Sequence, residues 1–411
     1  MEVYLVGGAV RDELLGLPVK ERDWCIVGAT PEYLKNLGYR PVGKDFPVFL
    51  HPDTAEEYAL ARTERKTAPG YHGFTFYAAP DVTIEQDLGR RDLTVNAIAK
   101  DANNRLIDPF NGRRDLENRI LRHVSASFSE DPVRILRAAR FAARFYPLGF
   151  RIADETMLMM KDMVQGGEAD ALVPDRVWKE TEAALGEVQP HIFFEVLRSC
   201  GALKAVFPEI DALFGVPQSE KWHPEIDTGV HTLMVLQQTA LLSEAIDVRF
   251  AGLVHDLGKA TTDQSKLPGH PGHEARSVKL IKSLAKRLPL PSACRELACL
   301  AAEFHTHCHR AFELRASTIL KVLNRSDAFR RPERFEKLMI ACEADARGRR
   351  GLEDRIYPQA DFLRGAFAAA VEVDISDLKT GGLSGAHIGK AIHDRRQHAI
   401  EQFKNNYDPP K

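Results

Sequence analysis

Hydrophobic and polar residues follow two different patterns along this chain of 411 residues. In the first hundred residues, short apolar runs bounded by Gly, Pro or Asp are typical of strands. From about Asp131 onward, longer patterns with a 3.6-residue period predominate, and convincing strands are few. The patterns predict strands at 2–6, 23–27, 46–50 and 57–61, and helices at 9–15, 31–37, 131–146, 175–185 and 191–200.

This order of elements predicts an α+β fold, with a small sheet in an N-terminal head and helices in the rest of the chain. We divide the helical part into an all-α neck, a body and a tail. A stretch that contains Pro and Gly, 214–223, is a candidate linker. The expected domains are residues 1–140, 141–212, 213–350 and 351–411.

Composition narrows the class of protein. Apolar residues make up 44% of the chain, enough for a sizeable core, yet no segment approaches the roughly 18 uncharged apolar residues of a membrane helix. The start of the chain shows no secretory pattern, and the six cysteines form no C-x-x-C pair. We therefore expect a cytoplasmic protein with reduced thiols and no membrane partner.

The net charge of −2 argues against a general nucleic-acid binder, but positive charge is concentrated in one region. Residues 90–151 contain 13 Lys and Arg against 7 Asp and Glu. Such a stretch can bind a phosphate backbone without binding every anion. A solvated helix face covered with salt bridges explains the same charges equally well.

Two short motifs near the N-terminus together predict a phosphoryl-transfer site. Gly7-Gly8 separates a predicted strand from a predicted helix, where free N–H groups and Arg11 can bind phosphate oxygens. Glu21 and Asp23 are two residues apart on the next strand, so their carboxylates point to the same side and can bind Mg²⁺. Each motif alone is more typical of an ordinary turn.

Four segments, in a fixed order, resemble the motifs of the class II polymerase-β-like nucleotidyltransferases, the branch that contains CCA-adding enzymes and bacterial poly(A) polymerases. The resemblance covers roughly residues 1–210 and implies a polymerase-β-like nucleotidyltransferase head with a small mixed sheet. Glu21 departs from the family pattern, in which Asp is usual. The segments are 7–16 with 21–23, 90–97, 108–112 with 115–116, and 130–137.

The resemblance also assigns roles to residues. Asp131 and Arg134 are expected to pair with the Watson–Crick edge of the incoming base and so select CTP and ATP. The helical spacing places Asp131, Arg134, Arg137, Arg140 and Arg144 on one face, although a surface ladder of ion pairs is the alternative. Glu21 and Asp23 are the expected catalytic Mg²⁺ ligands, and Glu57 and Asn96 are further candidates. The expected nucleotide-binding residues are Gly8, Arg11, Arg91, Asp131, Arg134, Arg137 and Arg140.

A second signal lies in the C-terminal half. His255-Asp256 occurs in an apolar helical stretch, where burial of both side chains requires a partner such as a divalent metal ion. His231, His255, Asp256 and Asp345 resemble the ligand set of the HD phosphohydrolase superfamily. This resemblance implies Ni²⁺ or another transition metal that activates water, with His255 and Asp256 as catalytic residues.

Other residues near this signal are less specific. Lys259 is a candidate ligand for a phosphate group. His305 is a candidate for a second metal site or for a substrate contact, and a surface position is the alternative. His223, His270 and His273 are expected to be exposed, although His270 and His273 in a Gly/Pro loop could line the site.

Taken as a whole, the chain resembles the long-type bacterial CCA-adding enzymes, which combine such a head with an HD domain. The resemblance implies template-independent addition and repair of the 3′-terminal CCA of tRNA with CTP and ATP. It also implies 2′,3′-cyclic phosphodiesterase, 2′-nucleotidase and phosphatase activities. The expected partners are tRNA, CTP and ATP, and the expected assembly is a monomer or homodimer. The Gly-rich segment 381–385 and a helix near 387–403 are assigned to the tail.

Two alternatives stay open at this point. A poly(A) polymerase would have the same head, although the intact HD motif and modest total charge argue against it. An HD phosphohydrolase whose head only binds RNA is disfavoured because Gly8, Arg11, Glu21, Asp23 and Arg91 are all present.

Overall fold

The computed structural model describes residues 1–42, 48–66, 74–380 and 385–408. They form two compact units. The first comprises Met1–Ala184 with Ile192–Val206, and the second comprises Leu185–His191 with Phe207–Lys411. The start of the predicted strand 46–50 and most of the Gly-rich segment 381–385 lie outside the described residues.

The predicted strands at 2–6 and 23–27 are confirmed, and those at 46–50 and 57–61 are confirmed for their described or central residues. The other strands have two to four residues, too few to give a clear alternating pattern. The strands are β1 (Glu2–Val6), β2 (Asp23–Val27), β3 (Arg40–Pro41), β4 (Val48–Leu50), β5 (Glu57–Leu60), β6 (Thr63–Lys66), β7 (Phe74–Tyr77), β8 (Ala99–Lys100), β9 (Leu106–Ile107), β10 (Ile120–Leu121) and β11 (Arg151–Ile152).

Seven of these strands form one sheet in the order β3-β4-β5-β2-β1-β8-β9. β2 runs antiparallel to β1 and parallel to β5, so the small mixed sheet predicted for the head is confirmed. Successive side chains of β2 enter different cores: Cys25 packs in one with Leu88, and Ile26 packs in the other with Leu34. Both faces of the sheet are therefore covered. β2 is a central strand, and Asp23 is its first residue.

The predicted helices up to residue 200 agree with the structure within two residues at each end. Pro132 precedes the long helix of this region, where its fixed φ is compatible with a helix start. The helices are α1 (Gly8–Leu14), α2 (Pro31–Asn36), α3 (Ile84–Gly89), α4 (Gly112–Glu117), α5 (Val133–Phe145), α6 (Asp154–Gln165), α7 (Pro174–Leu185), α8 (His191–Ser199) and α9 (Ala202–Val206).

Helices dominate the second unit, as predicted. They are α10 (Pro208–Asp211), α11 (Thr228–Leu242), α12 (Ile246–Val254), α13 (His273–Arg287), α14 (Ser292–His309), α15 (Ala316–Arg325), α16 (Pro332–Arg347), α17 (Pro358–Val371), α18 (Ser376–Thr380) and α19 (Gly385–Asn406). α12 is buried from Asp247 to Val254 and packs against α11, α14 and α16. It is therefore the central helix of this unit.

The segment 214–223 is not a linker between the two units, because it lies inside the second one as a loop. Gln218 in this loop is buried and accepts a hydrogen bond from Lys259. Each of the six cysteines is free. No helix in the described part of the chain is both long enough and apolar enough to cross a bilayer. Our four-domain division stays a proposal.

Candidate active sites

The first site is a cavity of about 620 Å³ in the first unit, at the turn from β1 to α1. Gly7 in this turn has φ 69° and ψ −126°, a backbone conformation that glycine adopts readily and other residues rarely do. A Cβ atom on Gly7 would lie 2.8 Å from Nη1 of Arg91. The glycine therefore allows Arg91 to approach the backbone and reach the cavity.

Glu21 and Asp23 line this cavity together, as the sequence predicts. Loss of solvent around the carboxyl group raises the pKa of Asp23, while Arg91 opposes this shift and Glu21 adds to it. Among the residues that the structure describes, neither carboxylate forms a salt bridge. Two unpaired carboxylates beside arginines fit Mg²⁺, which prefers oxygen ligands and shares them with phosphate groups.

Asp92 connects the central motif of the head to α5. Its Oδ2 accepts a hydrogen bond from Nε of Arg137 at 2.7 Å, and its Oδ1 accepts one from Nδ2 of Asn96 at 3.0 Å. Burial alone would raise the pKa of Asp92, but Arg137 and these hydrogen bonds hold it well below its usual value. Asn96 also accepts a hydrogen bond from Arg11. The buried, ionised carboxylate of Asp92 thus holds Arg137 directly, and through Asn96 it is connected to Arg11 of the N-terminal motif.

The predicted common face is confirmed, since all its members line the cavity: Asp131, which precedes α5, and Arg134, Arg137, Arg140 and Arg144 of α5. Buried acids hold two of these arginines in place. Nε of Arg140 donates to Oε2 of Glu180 at 2.6 Å, and Nη2 of Arg144 donates to Oδ2 of Asp12 at 2.9 Å. The face is therefore a fixed arginine surface that points into the cavity.

The expected base-selecting pair is fixed by partners that sequence reasoning missed. Arg176 of α7 donates two hydrogen bonds to the carboxylate of Asp131, at 3.1 and 2.8 Å. Arg134 donates to the carbonyl groups of Ser127 and Arg90. Arg176 lies 45 residues beyond Asp131, so no local pattern could have revealed the contact. Both members of the pair are held in place before any base arrives.

Glu57, the candidate third carboxylate, is the register partner of Asp23 across β2 and β5. It lines a smaller cavity of about 250 Å³ that Asp23 also borders. It is not among the residues that line the larger cavity. Its role as a metal ligand stays a prediction.

The second site is a cavity of about 660 Å³ in the second unit. Asp256 and Asp345 line it, and His231 and His255 lie directly against these two carboxylates. Each of these four predicted metal ligands is at most 3% exposed. Nε2 of His231 lies 3.1 Å from Oδ1 of Asp345. Nε2 of His255 lies 3.2 Å from Oδ2 of Asp256 and 3.6 Å from Oδ2 of Asp345. The ligands come from α11, the end of α12 and α16, which cross at this point.

Backbone carbonyl groups orient both histidines. Nδ1 of His231 lies 2.9 Å from the carbonyl oxygen of Gly348, and Nδ1 of His255 lies 2.8 Å from that of Gly252. Because a carbonyl oxygen only accepts, each Nδ1 carries a proton, and Nε2 is the ring nitrogen that faces the carboxylates. This tautomer is the one that binds a metal ion through Nε2.

The chemistry of the cluster fits a transition metal. Burial would raise the pKa of Asp256, but His255 and Lys259 hold it well below its usual value, so the carboxylate is ionised. Nε2 of His255 and Oδ1 of Asp256 are buried and have no hydrogen-bond partner in the described part of the chain. Imidazole and carboxylate ligands together suit Ni²⁺, Zn²⁺, Fe²⁺, Co²⁺ or Mn²⁺.

Further residues of the second cavity correct one expectation. His223, His270 and His273 are not exposed, because His273 is 7% exposed and the other two are half-buried. All three line the cavity, which confirms the alternative for His270 and His273. His305 is also buried in it. Nζ of Lys259 lies 2.6 Å from Oδ2 of Asp256, so this predicted metal ligand holds the candidate phosphate ligand in place.

Three family models match consecutive parts of the chain. The Poly A polymerase head domain matches residues 3–122, and the HD domain matches residues 228–347. Between them, the model described as the probable RNA and SrmB-binding site of polymerase A matches residues 149–214. The head model alone does not separate CCA addition from poly(A) synthesis.

Full-length relatives decide between these two families. A protein named Multifunctional CCA protein from Thioalkalivibrio sulfidiphilus is 64% identical over 404 residues, which cover 98% of this chain and 99% of that protein. The chain belongs to the multifunctional CCA protein family. A relative of the same name from Alkalilimnicola ehrlichii is 59% identical over the whole of both chains. The predicted class of enzyme, a CCA-adding tRNA nucleotidyltransferase with an HD domain, is confirmed.

Solved structures of CCA-adding enzymes have the same fold as this chain. An apo form matches with a TM-score of 0.66 and 20% identity, over 99% of this chain and 89% of the other. The Thermotoga maritima CCA-adding enzyme, solved with tRNA, matches with a TM-score of 0.64 and 19% identity, over 100% and 88%. These likenesses confirm the predicted architecture of a mixed-sheet head followed by helices.

Proposed function

We propose that this chain adds and repairs the 3′-terminal CCA of tRNA with CTP and ATP, without a template, and hydrolyses phosphoesters at its HD site. One observation carries the proposal. A single chain combines an arginine-lined cavity around two carboxylates with a buried cluster of histidines and aspartates. The name of the full-length relatives supports CCA addition. Structures of the same fold, solved with CTP and with ATP, support these nucleotides.

In the head, Glu21 and Asp23 would hold Mg²⁺, which neutralises phosphate charge and favours attack by the 3′-hydroxyl of the RNA. The cavity face of α5 contributes Arg137 and Arg140. Their hydrogen bonds to Asp92 and Glu180 hold the two guanidinium groups in position to bind a triphosphate. Gly8, Arg11 and Arg91 line the same cavity. Preorganised cations of this kind stabilise the charge of a transferring phosphoryl group.

For base selection, Asp131 presents acceptor oxygens and Arg134 presents donors at the edge of the same cavity. Because Arg176 and two backbone carbonyl groups already fix this pair, the base meets a rigid hydrogen-bonding edge. A rigid edge that matches C and A discriminates against bases with the reversed donor and acceptor pattern.

Beside the second cavity, His231, His255, Asp256 and Asp345 would hold Ni²⁺ or another transition metal, which makes a bound water a nucleophile near neutral pH. Arg310, Arg349 and Arg355 line the same cavity and supply positive charge for a phosphate group. We propose 2′,3′-cyclic phosphates, 2′-nucleotides and simple phosphate esters as substrates. Damaged RNA ends present such groups, so this activity would complement CCA repair.

The test uses the full-length chain and a tRNA that lacks its terminal CCA, supplied with CTP, ATP or both. We expect two C residues with CTP, and one A residue after them when ATP is also present. Unlimited A tails without incorporation of C would overturn the proposal in favour of a poly(A) polymerase. A failure to incorporate any nucleotide would favour a head that only binds RNA.

A further inference from the structure

An open tryptophan side chain borders the second cavity. Trp222 lines this cavity, yet it is 59% exposed. The other two tryptophans of the chain are covered, since Trp178 is 6% exposed and Trp24 stacks on Tyr58 with ring centroids 5.6 Å apart. Single exposed apolar residues are ordinary on protein surfaces, so a role for Trp222 depends on what holds it beside the cavity.

Hydrogen bonds within the loop fix the position of Trp222. Its N–H group donates to the carbonyl oxygen of Ser219 at 3.0 Å, which closes a tight turn. The N–H group of Gln218 donates to the carbonyl oxygen of Ile226 at 2.8 Å and joins the two ends of the loop. Nζ of Lys221 lies 4.8 Å from the centroid of the indole ring, a cation–π contact. The ring is therefore presented from a defined backbone position.

The same loop is anchored to a predicted metal ligand. The ring centroid of His223, the residue after Trp222, lies 4.6 Å from that of His231. Oε1 of the buried carboxylate of Glu225 lies 3.1 Å from Nδ1 of His223 and 3.0 Å from Nδ1 of His231. Trp222 is therefore one residue away from a side chain that packs directly on the metal-ligand cluster.

Two cations beside that cluster can bind a phosphate group. Lys259 and Arg349 both line the cavity, and each contacts a predicted metal ligand: Nζ of Lys259 lies 2.6 Å from Oδ2 of Asp256, and Nη2 of Arg349 lies 3.8 Å from Oδ1 of Asp345. Nε of Arg349 is buried and has no hydrogen-bond partner in the described part of the chain. A phosphate group held by these cations would leave the rest of a nucleotide to extend through the cavity.

We propose that Trp222 stacks on the nucleobase of the HD-site substrate while Lys259 and Arg349 bind its phosphate group. Every nucleobase has a flat π face, so stacking on an indole ring accepts each base and gives affinity without reading the sequence. Nucleoside 2′,3′-cyclic phosphates and phosphorylated RNA ends are therefore preferred to phosphate esters that have no base. This inference rests on the proposed function of the HD site and names the part of the substrate that supplies binding.

The test compares a cyclic phosphate that has a base with one that has none. Adenosine 2′,3′-cyclic phosphate and glycerol 1,2-cyclic phosphate are each supplied to the full-length chain with Ni²⁺, and kcat and KM are measured. In Trp222→Ala we expect KM for the adenosine substrate to rise about tenfold, because the stacking contact is lost. Its kcat and both constants for the glycerol substrate should change little. Trp222→Phe, which keeps an aromatic ring, should recover most of the loss.

Ile356→Ala is the matched control. Ile356 is 78% exposed and lies between Arg355 and Tyr357, which line the cavity, but it does not line the cavity itself. Its replacement should leave KM unchanged for both substrates. An equal rise of both KM values in Trp222→Ala, or no rise in either, would overturn the stacking role of Trp222 and leave the proposed function standing.

Tryptophan fluorescence follows binding independently of hydrolysis. Stacking of 2′-AMP on Trp222 should quench the emission of the unsubstituted chain, and Trp222→Phe should lack this component. Any quenching of Trp24 or Trp178 is common to both chains and cancels in the comparison. Quenching that depends on Trp222, without hydrolysis of either cyclic phosphate, would support the stacking role and overturn the proposed function. Quenching that is the same in both chains would overturn the stacking role.

Discussion

Individual residues matter most at the two turns that bring backbone close to a functional side chain. Gly7 has a positive φ and lies against Arg91, and Gly258 lies against the start of α13. Asp92 has the corresponding role for side chains, because it is the common partner of Arg137 and Asn96. At this scale each position can be tested by a single substitution.

Replacement of Gly7 by Ala should reduce nucleotide addition by about tenfold or more. A side chain at this φ costs about 1–3 kcal/mol in backbone strain, and the Cβ atom would displace Arg91 from the cavity. Steady-state kcat/KM for CTP measures the effect. Gly149→Ala is the control, because Gly149 also has a positive φ but has open space around its Cβ position. Equal loss of activity in both variants would contradict a specific role for Gly7.

Replacement of Asp92 by Asn should destabilise the first unit at neutral pH by roughly 3 kcal/mol, since it leaves a partner of a buried ion pair alone. The folded-state pKa of Asp92 lies well below the usual aspartate value of about 3.9. The stabilisation it provides is therefore complete above that pH and is lost as pH falls below it. The difference in unfolding free energy between Asp92→Asn and the unsubstituted chain should be smaller at pH 3 than at pH 7.

Calorimetric or chemical unfolding at the two pH values checks this expectation. Asp162→Asn, at an exposed position of α6, should change stability by no more than about 0.5 kcal/mol at either pH. A difference between Asp92→Asn and the unsubstituted chain that stays constant down to pH 3 would show that folding does not lower the pKa of Asp92.

Among the elements, α5 and α14 show how one helix can carry a site on a single face. The arginines of α5 point into the first cavity, while Phe141 and Phe145 of the same helix lie beneath the guanidinium group of Arg11, each 5.0 Å from it. His305 and His309 of α14 line the second cavity at a spacing of four residues. In both helices the periodic pattern identifies the functional face.

The packing of α13 against the turn after α12 gives a prediction at this scale. Gly258→Ala should destabilise the second unit by about 1–3 kcal/mol, because the added methyl group overlaps the backbone of α13. Displacement of His273 should also reduce phosphohydrolase activity, while nucleotide addition should persist. Thermal unfolding and both assays check this. Gly385→Ala is the control, since nothing lies within 4 Å of that position.

At the scale of the whole molecule, each compact unit contains one complete site. All residues that line the first cavity belong to the first unit, and all that line the second belong to the second. Such a division predicts two activities that can be removed separately.

Asp23→Ala should abolish nucleotide addition, because it removes a metal ligand, and should leave phosphoester hydrolysis within about twofold of normal. His255→Ala should have the reverse effect. Both assays on both purified variants, with circular dichroism to verify folding, decide the matter. Persistent addition in Asp23→Ala would refute our assignment of the head metal site. Loss of both activities in either folded variant would show that the two sites depend on each other.

The sequence by itself determined the family, the class of fold and most members of both sites. Short stretches of sequence were sufficient to identify these features, because each is encoded within a few neighbouring residues. They are the glycine turn, Glu21 with Asp23, the α5 face and His255-Asp256. Helix bounds were also predictable, since amphipathic periods extend over many residues. Two-residue strands such as β8 were not, because their pattern is too short.

Only the tertiary structure decided which distant residues complete each site. Arg176 reaches Asp131, and Glu180 reaches Arg140, across 40 or more residues of chain. His273 reaches Asp256 because the backbone of α13 packs against Gly258. The sequence predicted an exposed His273, with a place in the site as the alternative, whereas packing buries it. Contacts between distant residues depend on how helices and sheet pack, and no local pattern of hydrophobic and polar residues specifies that.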